Sequence, residues 1–489
     1  MKTSIGPVRV RTLYMSWMPH VALLAGLGAC DSSRLVAPDA GSSCSVTARF
    51  QQSVNLKLDI VFTIDDSPGM QALQEKVATQ LPEFLRILSH LPDGLPDVHI
   101  GVVSSSMGAG QFANVPGCTP ESSGDNAGKF IHPPSCTSLA YGQSFIIANR
   151  GVTNFAGDIG ELFSCMARLG SGGCAFSQPF AATRRALEKA SDPRDPDNGG
   201  FLRPDATLAV VLVTNQDDCS VPVGSDLFDP GQVSLADAYG GLHPYRCAEF
   251  GHSCNGQKPP HDLPPDFSAL ALENCTPAED RGQLSPVSDF VDFLLGLKPN
   301  AKDRIFVSAV AGPTSPYVVE ERSFSPAAGG TEPQPVLQHS CVGSSGGEYG
   351  FPSPRVKAWL DAFSNNAIFQ SVCTDDFAQV LAYLAQPSRS LSAQCISGTV
   401  ATGADGTPDC QVVRRTRNGG GVGGPTVDHH VPLCDAHQTN YPCWKLSAEH
   451  SGCGSDQSFQ VCNDPTCRLR ADGSGTEDVL VTCSLRPPC

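Results

Sequence analysis

One stretch limits what this chain can fold into: Leu58-Asp-Ile-Val-Phe-Thr-Ile-Asp-Asp-Ser-Pro-Gly-Met70, an apolar run that breaks off into acid and hydroxyl side chains. Residues 58–64 are apolar at nearly every position, the pattern of a strand buried on both faces. A tight turn follows, and then helical periodicity over 71–90. Strand, polar turn and helix in that order form the repeating unit of an α/β sheet, and such sheets bind ligands outside the carboxyl ends of their strands. Asp65 and Ser67, at i and i+2, offer a carboxylate and a hydroxyl, the oxygen ligands that Mg²⁺ or Ca²⁺ takes. The next alternate position is Gly69, which has no side chain. Asp-x-Ser turns are common, so the pair alone does not specify a site.

Three more runs predict buried parallel strands, at His99–Ser104, Thr207–Thr214 and Arg304–Ala311. Helical spacing fits 158–168, 178–190, 286–296, 355–366 and 375–386, and Pro82 is expected to bend or split the helix over 71–90. The third strand also ends in oxygen-bearing residues, Val210-Val-Leu-Val-Thr-Asn-Gln-Asp-Asp-Cys219. If it neighbours the first, Thr214, Asn215, Asp217 and Asp218 face Asp65 and Ser67. The same residues serve equally well as helix caps or Asx turns. Two long segments, 108–157 and 219–283, interrupt the alternation with many Gly, Ser and Pro and with Cys118, Cys136, Cys219, Cys247, Cys254 and Cys275. Loops of that length need a function or a staple, and disulfides are the expected staples.

The amino terminus reads as a leader rather than as fold. Lys2, Arg9 and Arg11 precede a short apolar run, Val21–Ala29, too short to span a bilayer. Leu27-Gly-Ala-Cys30 resembles a bacterial lipobox, which makes Cys30 the expected lipidated residue; an ordinary secretion signal with a chance Cys is the alternative. The chain has 21 Cys, and removing Cys30 leaves an even set, as expected of an exported, disulfide-bonded chain. The formal net charge is -16, and no Lys/Arg cluster exceeds Arg414-Arg415-Thr-Arg417. That argues against nucleic acid, whose grooves demand concentrated positive charge, and it favours attraction of divalent cations.

The expected organisation is a signal peptide over 1–29, a tether over 30–49, the α/β domain over 50–390, and a Cys-rich, β-rich appendage over 391–489, with an edge strand expected within 44–56. Within the appendage, strands are expected at 410–415, 458–462 and 478–484, and a flexible loop over the Gly-rich run 418–425. A zinc site among Cys434, Cys443, Cys453, Cys462 and Cys467 competes with disulfides but has no Cys-x-x-Cys pair. Asp428-His429-His430 with His437 is the best metal-like cluster outside the sheet, more simply exposed polar residues. His243, His252 and His261 are scattered through a Pro-rich loop. The sequence lacks Gly-x-Ser-x-Gly, His-Glu-x-x-His and a phosphate loop, so no catalysis is expected.

The turn Asp65-Asp66-Ser67-Pro68-Gly69-Met70 and the acidic stretch Asn215–Cys219 resemble those of von Willebrand factor type A domains, in particular the exported lipoproteins of myxobacteria and related bacteria. Gly199-Gly-Phe-Leu-Arg-Pro-Asp205 and Tyr245-Arg-Cys-Ala-Glu-Phe-Gly251 add to the likeness. The resemblance covers most of 50–390 and implies a doubly wound, mostly parallel sheet of Rossmann-like type with a metal-ion-dependent adhesion site. The family motif Asp-x-Ser-x-Ser lacks its last Ser here, and the later family Asp falls on Asn215. The family's loop Thr has its expected counterpart in Ser171 or Ser177. The implied metal set is Asp65, Ser67, Asn215, Asp217 and Ser171, holding Mg²⁺ or Ca²⁺ in a degenerate site. The expected function is a cell-envelope binding module, lipid-anchored at the outer membrane or the periplasmic face, that recognises a protein or saccharide ligand through the cation. A metal-independent structural lipoprotein is the first alternative and a metal-dependent hydrolase the second.

Overall fold

The computed structural model describes residues 44–51, 57–89, 97–377 and 394–486, except 116, 119–126, 141, 150–151, 281, 299–303, 324–332, 397–398, 418–425, 436–439, 448–456 and 463–477. The chain divides into two units, 1–43 and 44–489, and every described residue belongs to the second. The leader, Cys30, the Gly-rich run, His437 and nearly all of the helix expected at 375–386 lie outside the described residues.

In chain order, β1 (Cys44–Gln51) is followed by β2 (Lys57–Ile64), α1 (Gln71–Ser89), β3 (Asp97–Ser104), β4 (Ile146–Asn149) and β5 (Val152–Thr153). Then come α2 (Ile159–Met166), α3 (Pro179–Ser191), β6 (Thr207–Val213), α4 (Tyr245–Gly251), β7 (His252–Cys254), β8 (Ala269–Leu272), β9 (Cys275–Pro277), α5 (Val287–Gly296) and β10 (Ile305–Ala311). β11 (Tyr317–Ser323), β12 (Pro333–Leu337), β13 (Cys341–Val342), β14 (Tyr349–Gly350), α6 (Pro354–Asp361) and β15 (Ala367–Ser371) complete the α/β part. The central sheet has seven strands in the order β15-β10-β6-β2-β3-β4-β5. β2 pairs in parallel with β3 and β6, β10 pairs in parallel with β6 and β15, and β4 and β5 close one edge antiparallel. The chain therefore leaves β2 on one side through β3 and returns on the other through β6. That reversal opens a crevice at the carboxyl ends of β2 and β6.

Side chains alternate across each strand and supply two cores. Leu58, Ile60, Phe62 and Ile64 pack with Leu73 and Val77 of α1 and with Leu162 and Phe163 of α2. Val61, Leu208, Val210 and Leu212 belong to a second core with Phe180 and Leu187 of α3, Phe290 of α5 and Trp359 of α6. Asp158 caps α2 by accepting from the Glu161 amide at 3.0 Å, and Pro179 stands in the first turn of α3, where its missing N–H costs nothing. α1 runs unbroken through Pro82, contrary to the expected split. The helix predicted over 355–366 is instead α6 followed by a 3₁₀ turn at 364–366, where Ser364 has φ 51° and cannot continue an α-helix.

The interrupting segments are stapled. Cys118–Cys174 and Cys136–Cys165 tie down the first, and Cys219–Cys247 and Cys254–Cys275 the second. Cys341–Cys373, Cys410–Cys483 and Cys434–Cys443 bring the bridges among the described residues to seven. Seven bridges fit an oxidising, extracytoplasmic compartment. The bridge between Cys434 and Cys443 removes both from the zinc set considered above. No helix among the described residues is long and apolar enough to cross a membrane.

The carboxyl-terminal region is β-rich: β16 (Gln394–Ile396), β17 (Cys410–Arg417), β18 (Thr426–His430), β19 (Cys443–Ser447), β20 (Gln457–Cys462) and β21 (Asp478–Leu485). They form the sheets β1-β21-β17-β18 and β16-β20-β19 over a core that includes Val412, Trp444, Phe459 and Val481. β1 pairs along its whole length with β21, so residues 44–49, placed in the tether by sequence, are a strand of this sheet.

Candidate functional site

The two oxygen-rich turns meet. The Asp65 amide donates to the Val213 carbonyl at 2.8 Å, and the Ser105 amide to the Ile64 carbonyl at 3.1 Å, so the ends of β2, β3 and β6 are locked in register. Asp65 is fully buried. Its Oδ1 accepts from the Ser67 amide at 2.8 Å and the Ser105 hydroxyl at 3.1 Å, and its Oδ2 accepts from the Thr214 hydroxyl at 2.7 Å. Ser177 Oγ lies 2.9 Å from Ser105 Oγ and extends this hydroxyl chain. Gln216 Nε2 donates to the Ser67 hydroxyl oxygen at 2.9 Å. Every donor to the Asp65 carboxylate is neutral, and among the described residues no Lys, Arg or His stands within ion-pair distance of it.

Asp66 has the Ser106 hydroxyl at 2.9 Å on its Oδ1. Burial raises its carboxyl above the ordinary range and the charge of Asp65 raises it further, against the hydroxyls of Ser104 and Ser106. Gly173 is bare because a Cβ there would stand 2.3 Å from Asp66 Oδ1.

Asn215 lies between two pinned neighbours, Thr214 on Asp65 and Gln216 on Ser67. Its backbone carbonyl accepts from the Phe351 amide at 2.8 Å. Its side-chain Oδ1 is buried and has no hydrogen-bond partner. Its Nδ2 lies 3.5 Å from where a Cβ on residue 69 would stand, so the side chain reaches over the Asp65 turn. At Gly69 (φ 96°) that imaginary Cβ would be 1.9 Å from the Tyr349 hydroxyl. A phenol oxygen from β14 thus occupies the space a side chain at residue 69 would enter.

The remaining sequence-predicted ligands are elsewhere. Asp217 heads α6: its Oδ2 accepts from the Arg355 amide at 2.9 Å and its Oδ1 from the Val356 amide at 3.0 Å and the Asp218 amide at 2.9 Å. Helix amides hold it, the capping alternative that its sequence left open. Asp218 plays the same part for α3, accepting from the Phe180 amide at 3.0 Å, and it pairs with Arg355 at 3.0 Å. Ser171 is exposed on its loop, while Ser177 is the buried member of that segment. Asp428 pairs with Arg415 at 2.7 Å, and His429 and His430 are exposed. Sequence inspection missed Ser105, Gln216 and Tyr349; the run Ser104-Ser105-Ser106 at the end of β3 was the available signal for the first.

The donor set fits a hard cation in kind. Asp65, Ser67 and Asn215 each offer an oxygen, and the Asn215 Oδ1 is a buried acceptor without a donor. Among the described residues no group of three or more His, Cys, Asp or Glu is placed to hold a metal, so any ion here is held mainly by hydroxyl and amide oxygens.

No family model matches the chain, and no curated protein does. Among solved structures, the pilus adhesin RrgA from Streptococcus pneumoniae aligns over 91% of this chain and 58% of its own, with 12% identity and a TM-score of 0.31. The open conformation of the pilus adhesin SpaC from Lactobacillus rhamnosus GG aligns over 90% and 41%, with 11% identity and a TM-score of 0.32. The chain thus spans well under two thirds of either adhesin.

Proposed function

We propose that this protein is an exported binding module of the von Willebrand factor type A kind, anchored through Cys30, that holds Mg²⁺ or Ca²⁺ at Asp65, Ser67 and Asn215. A bound cation of this type supplies an open coordination position for an acidic group of a partner protein or a saccharide oxygen. The chain's own residues do the rest. Ser105 and Thr214 orient the Asp65 carboxylate, Gln216 fixes the Ser67 hydroxyl, and Tyr349 fills the place left bare at Gly69. This reading is one of binding, with no bond made or broken. The observation that carries the proposal is a buried carboxylate with only neutral donors, set beside a buried amide oxygen with none. A buried charge is stabilised by a counter-charge or by dense hydrogen bonding.

A metal-independent platform has its own support, since three hydrogen bonds already serve Asp65. Thermal melting with and without millimolar Ca²⁺ or Mg²⁺ separates the two. A ligand present at about 100 times its Kd stabilises the native state by about 2.7 kcal/mol. The cation site predicts such a rise in the wild type and none in Asp65→Ala. An unchanged wild-type melt favours the platform.

A further inference from the structure

Beside the Asp65 turn lies a cavity of about 300 Å³ that none of the chemistry above uses. Its lining includes Pro68, Gln216 and Asp217, Tyr245 and His252, and Tyr349 and Phe351. These residues come from the β2 and β6 turns, the stapled insertion and the β14 segment, so the hollow exists only in the assembled fold.

It is a built space rather than a gap between slack loops. Cys219–Cys247 fastens the insertion to the end of β6, and Cys254–Cys275 closes it on itself. Within it the buried Arg246 guanidinium donates to the carbonyls of Leu227 at 2.7 Å and of Gly240 and Gly241 at 2.8 Å. The Tyr245 hydroxyl donates to the Pro260 carbonyl at 2.6 Å. The cavity is far larger than the hollow between α3 and α5, about 10 Å³, and smaller than the open groove of about 540 Å³ lined by Pro408, Val412, Val431 and Trp444.

The lining defines the occupant. Tyr245, Tyr349 and Phe351 present aromatic rings, and the Tyr349 ring is braced by stacking on His339 with centroids 4.1 Å apart. His243, also in the lining, is pushed down to about 4 by burial and then by Arg246. One buried polar group waits inside. His252, 2% exposed, engages the Tyr317 hydroxyl through Nδ1 at 2.9 Å. Its Nε2 makes no hydrogen bond; it lies 2.9 Å from Asp217 Oδ2 at too oblique an angle for one. A hydroxyl at this end of the cavity can donate to the Asp217 carboxylate, which His252 backs from the buried side. Asp217 disfavours an anion there, and Arg322, the cation of the lining, is already paired with Glu320 at 2.6 Å.

We infer that this cavity binds an aromatic ring bearing one uncharged hydrogen-bonding substituent, a phenol being the simplest case. A volume of about 300 Å³ lies at the lower end of ligand pockets and is about twice that of a cavity that takes benzene. The inference does not depend on the cation. The ring can belong to a free small molecule or to a tyrosine of a partner protein.

The test is calorimetric titration of the disulfide-bonded protein with p-cresol, in calcium and again in EDTA. Saturable binding at one site per chain is expected, equal in both buffers, so this result and the fate of the cation proposal are read separately. Toluene and 4-methylcyclohexanol are expected to bind more weakly, as the polar handle and the aromatic walls require. Ala175→Phe and Leu337→Phe, at part-exposed lining positions, should each weaken p-cresol by about tenfold or more while circular dichroism stays unchanged. N-acetyl-tyrosinamide that binds as p-cresol does assigns the site to a partner's side chain, and failure of the amide alone assigns it to a free ligand. Absence of saturable p-cresol binding overturns the inference, as does undiminished binding in both folded variants.

Discussion

β2 carries a fully buried aspartate at each end, and the two are handled differently. Asp59, near the strand's start, is neutralised by the protein itself. Arg203 Nε donates to its Oδ1 and the Arg203 amide to its Oδ2, both at 2.8 Å, and Lys298 Nζ stands 3.7 Å away. Asp65, six positions on, has two hydroxyls and one amide and no cation. Burial is the same, so burial alone does not decide how a carboxylate is used. The Asp59 end is closed with the chain's own charges, as a structural pair must be. The Asp65 end lies at the crevice where the strand order reverses, and among the described residues only neutral donors meet its carboxylate.

Breaking the closed end should have the largest effect. Arg203→Ala removes the guanidinium from Asp59 and leaves it the residue-203 amide and the more distant Lys298, and it is expected to cost about 3–5 kcal/mol in urea unfolding; a loss like that of an exposed arginine would show that Asp59 is not held as described. The same end predicts a pH response through His99, whose ring contacts the Phe201 carbonyl at 2.8 Å. Burial first and Arg203 second depress His99 from 6.5 to about 4. The unfolded chain therefore binds the proton more readily, and stability falls as pH drops from about 6.5 towards 4, by about 2–3 kcal/mol. His99→Gln should flatten that part of the stability profile, and an unaltered profile removes His99 as its source.

The open end is probed more gently. Gly69→Ala places a methyl 1.9 Å from the Tyr349 hydroxyl at φ 96°, and it should destabilise by about 1–3 kcal/mol. In Tyr349→Ala the steric part of that cost disappears and only the backbone part remains, so a double-mutant cycle should show coupling; strict additivity would mean that the phenol is not there. Smallest in stability terms is Asn215→Asp. It adds charge where the orphan oxygen sits and is expected to tighten Ca²⁺ or Mg²⁺ by on the order of tenfold. Flat or weakened affinity in calorimetry would take residue 215 out of the cation's surroundings.

The central strands were legible because β2, β3, β6 and β10 are short runs apolar at nearly every position, the pattern of a sheet covered on both faces. The meeting of the Asp65 and Thr214 turns followed from strand adjacency. What escaped depended on partners distant in sequence. Asp217 looks like a ligand beside Asn215 and Asp218, yet the amides of α6, more than a hundred residues on, take its oxygens. Tyr349 reaches Gly69 from a two-residue strand with no periodicity. His243 and His252, scattered in sequence, line one cavity because two disulfides and the buried Arg246 gather their loop. β4 and β5 are too short to announce themselves, and the edge strand expected within 44–56 is β1, whose partner β21 at the far end of the chain was not legible.

The most direct measurement is a crystal structure of the disulfide-bonded protein grown in Ca²⁺ or Mg²⁺. Density for an ion touching Asn215 Oδ1 and the Ser67 hydroxyl, beside a carboxylate still aligned by Ser105 and Thr214, is the predicted result. A site holding only water at saturating cation, with the Asn215 amide turned to pair with the Tyr349 hydroxyl, would contradict it.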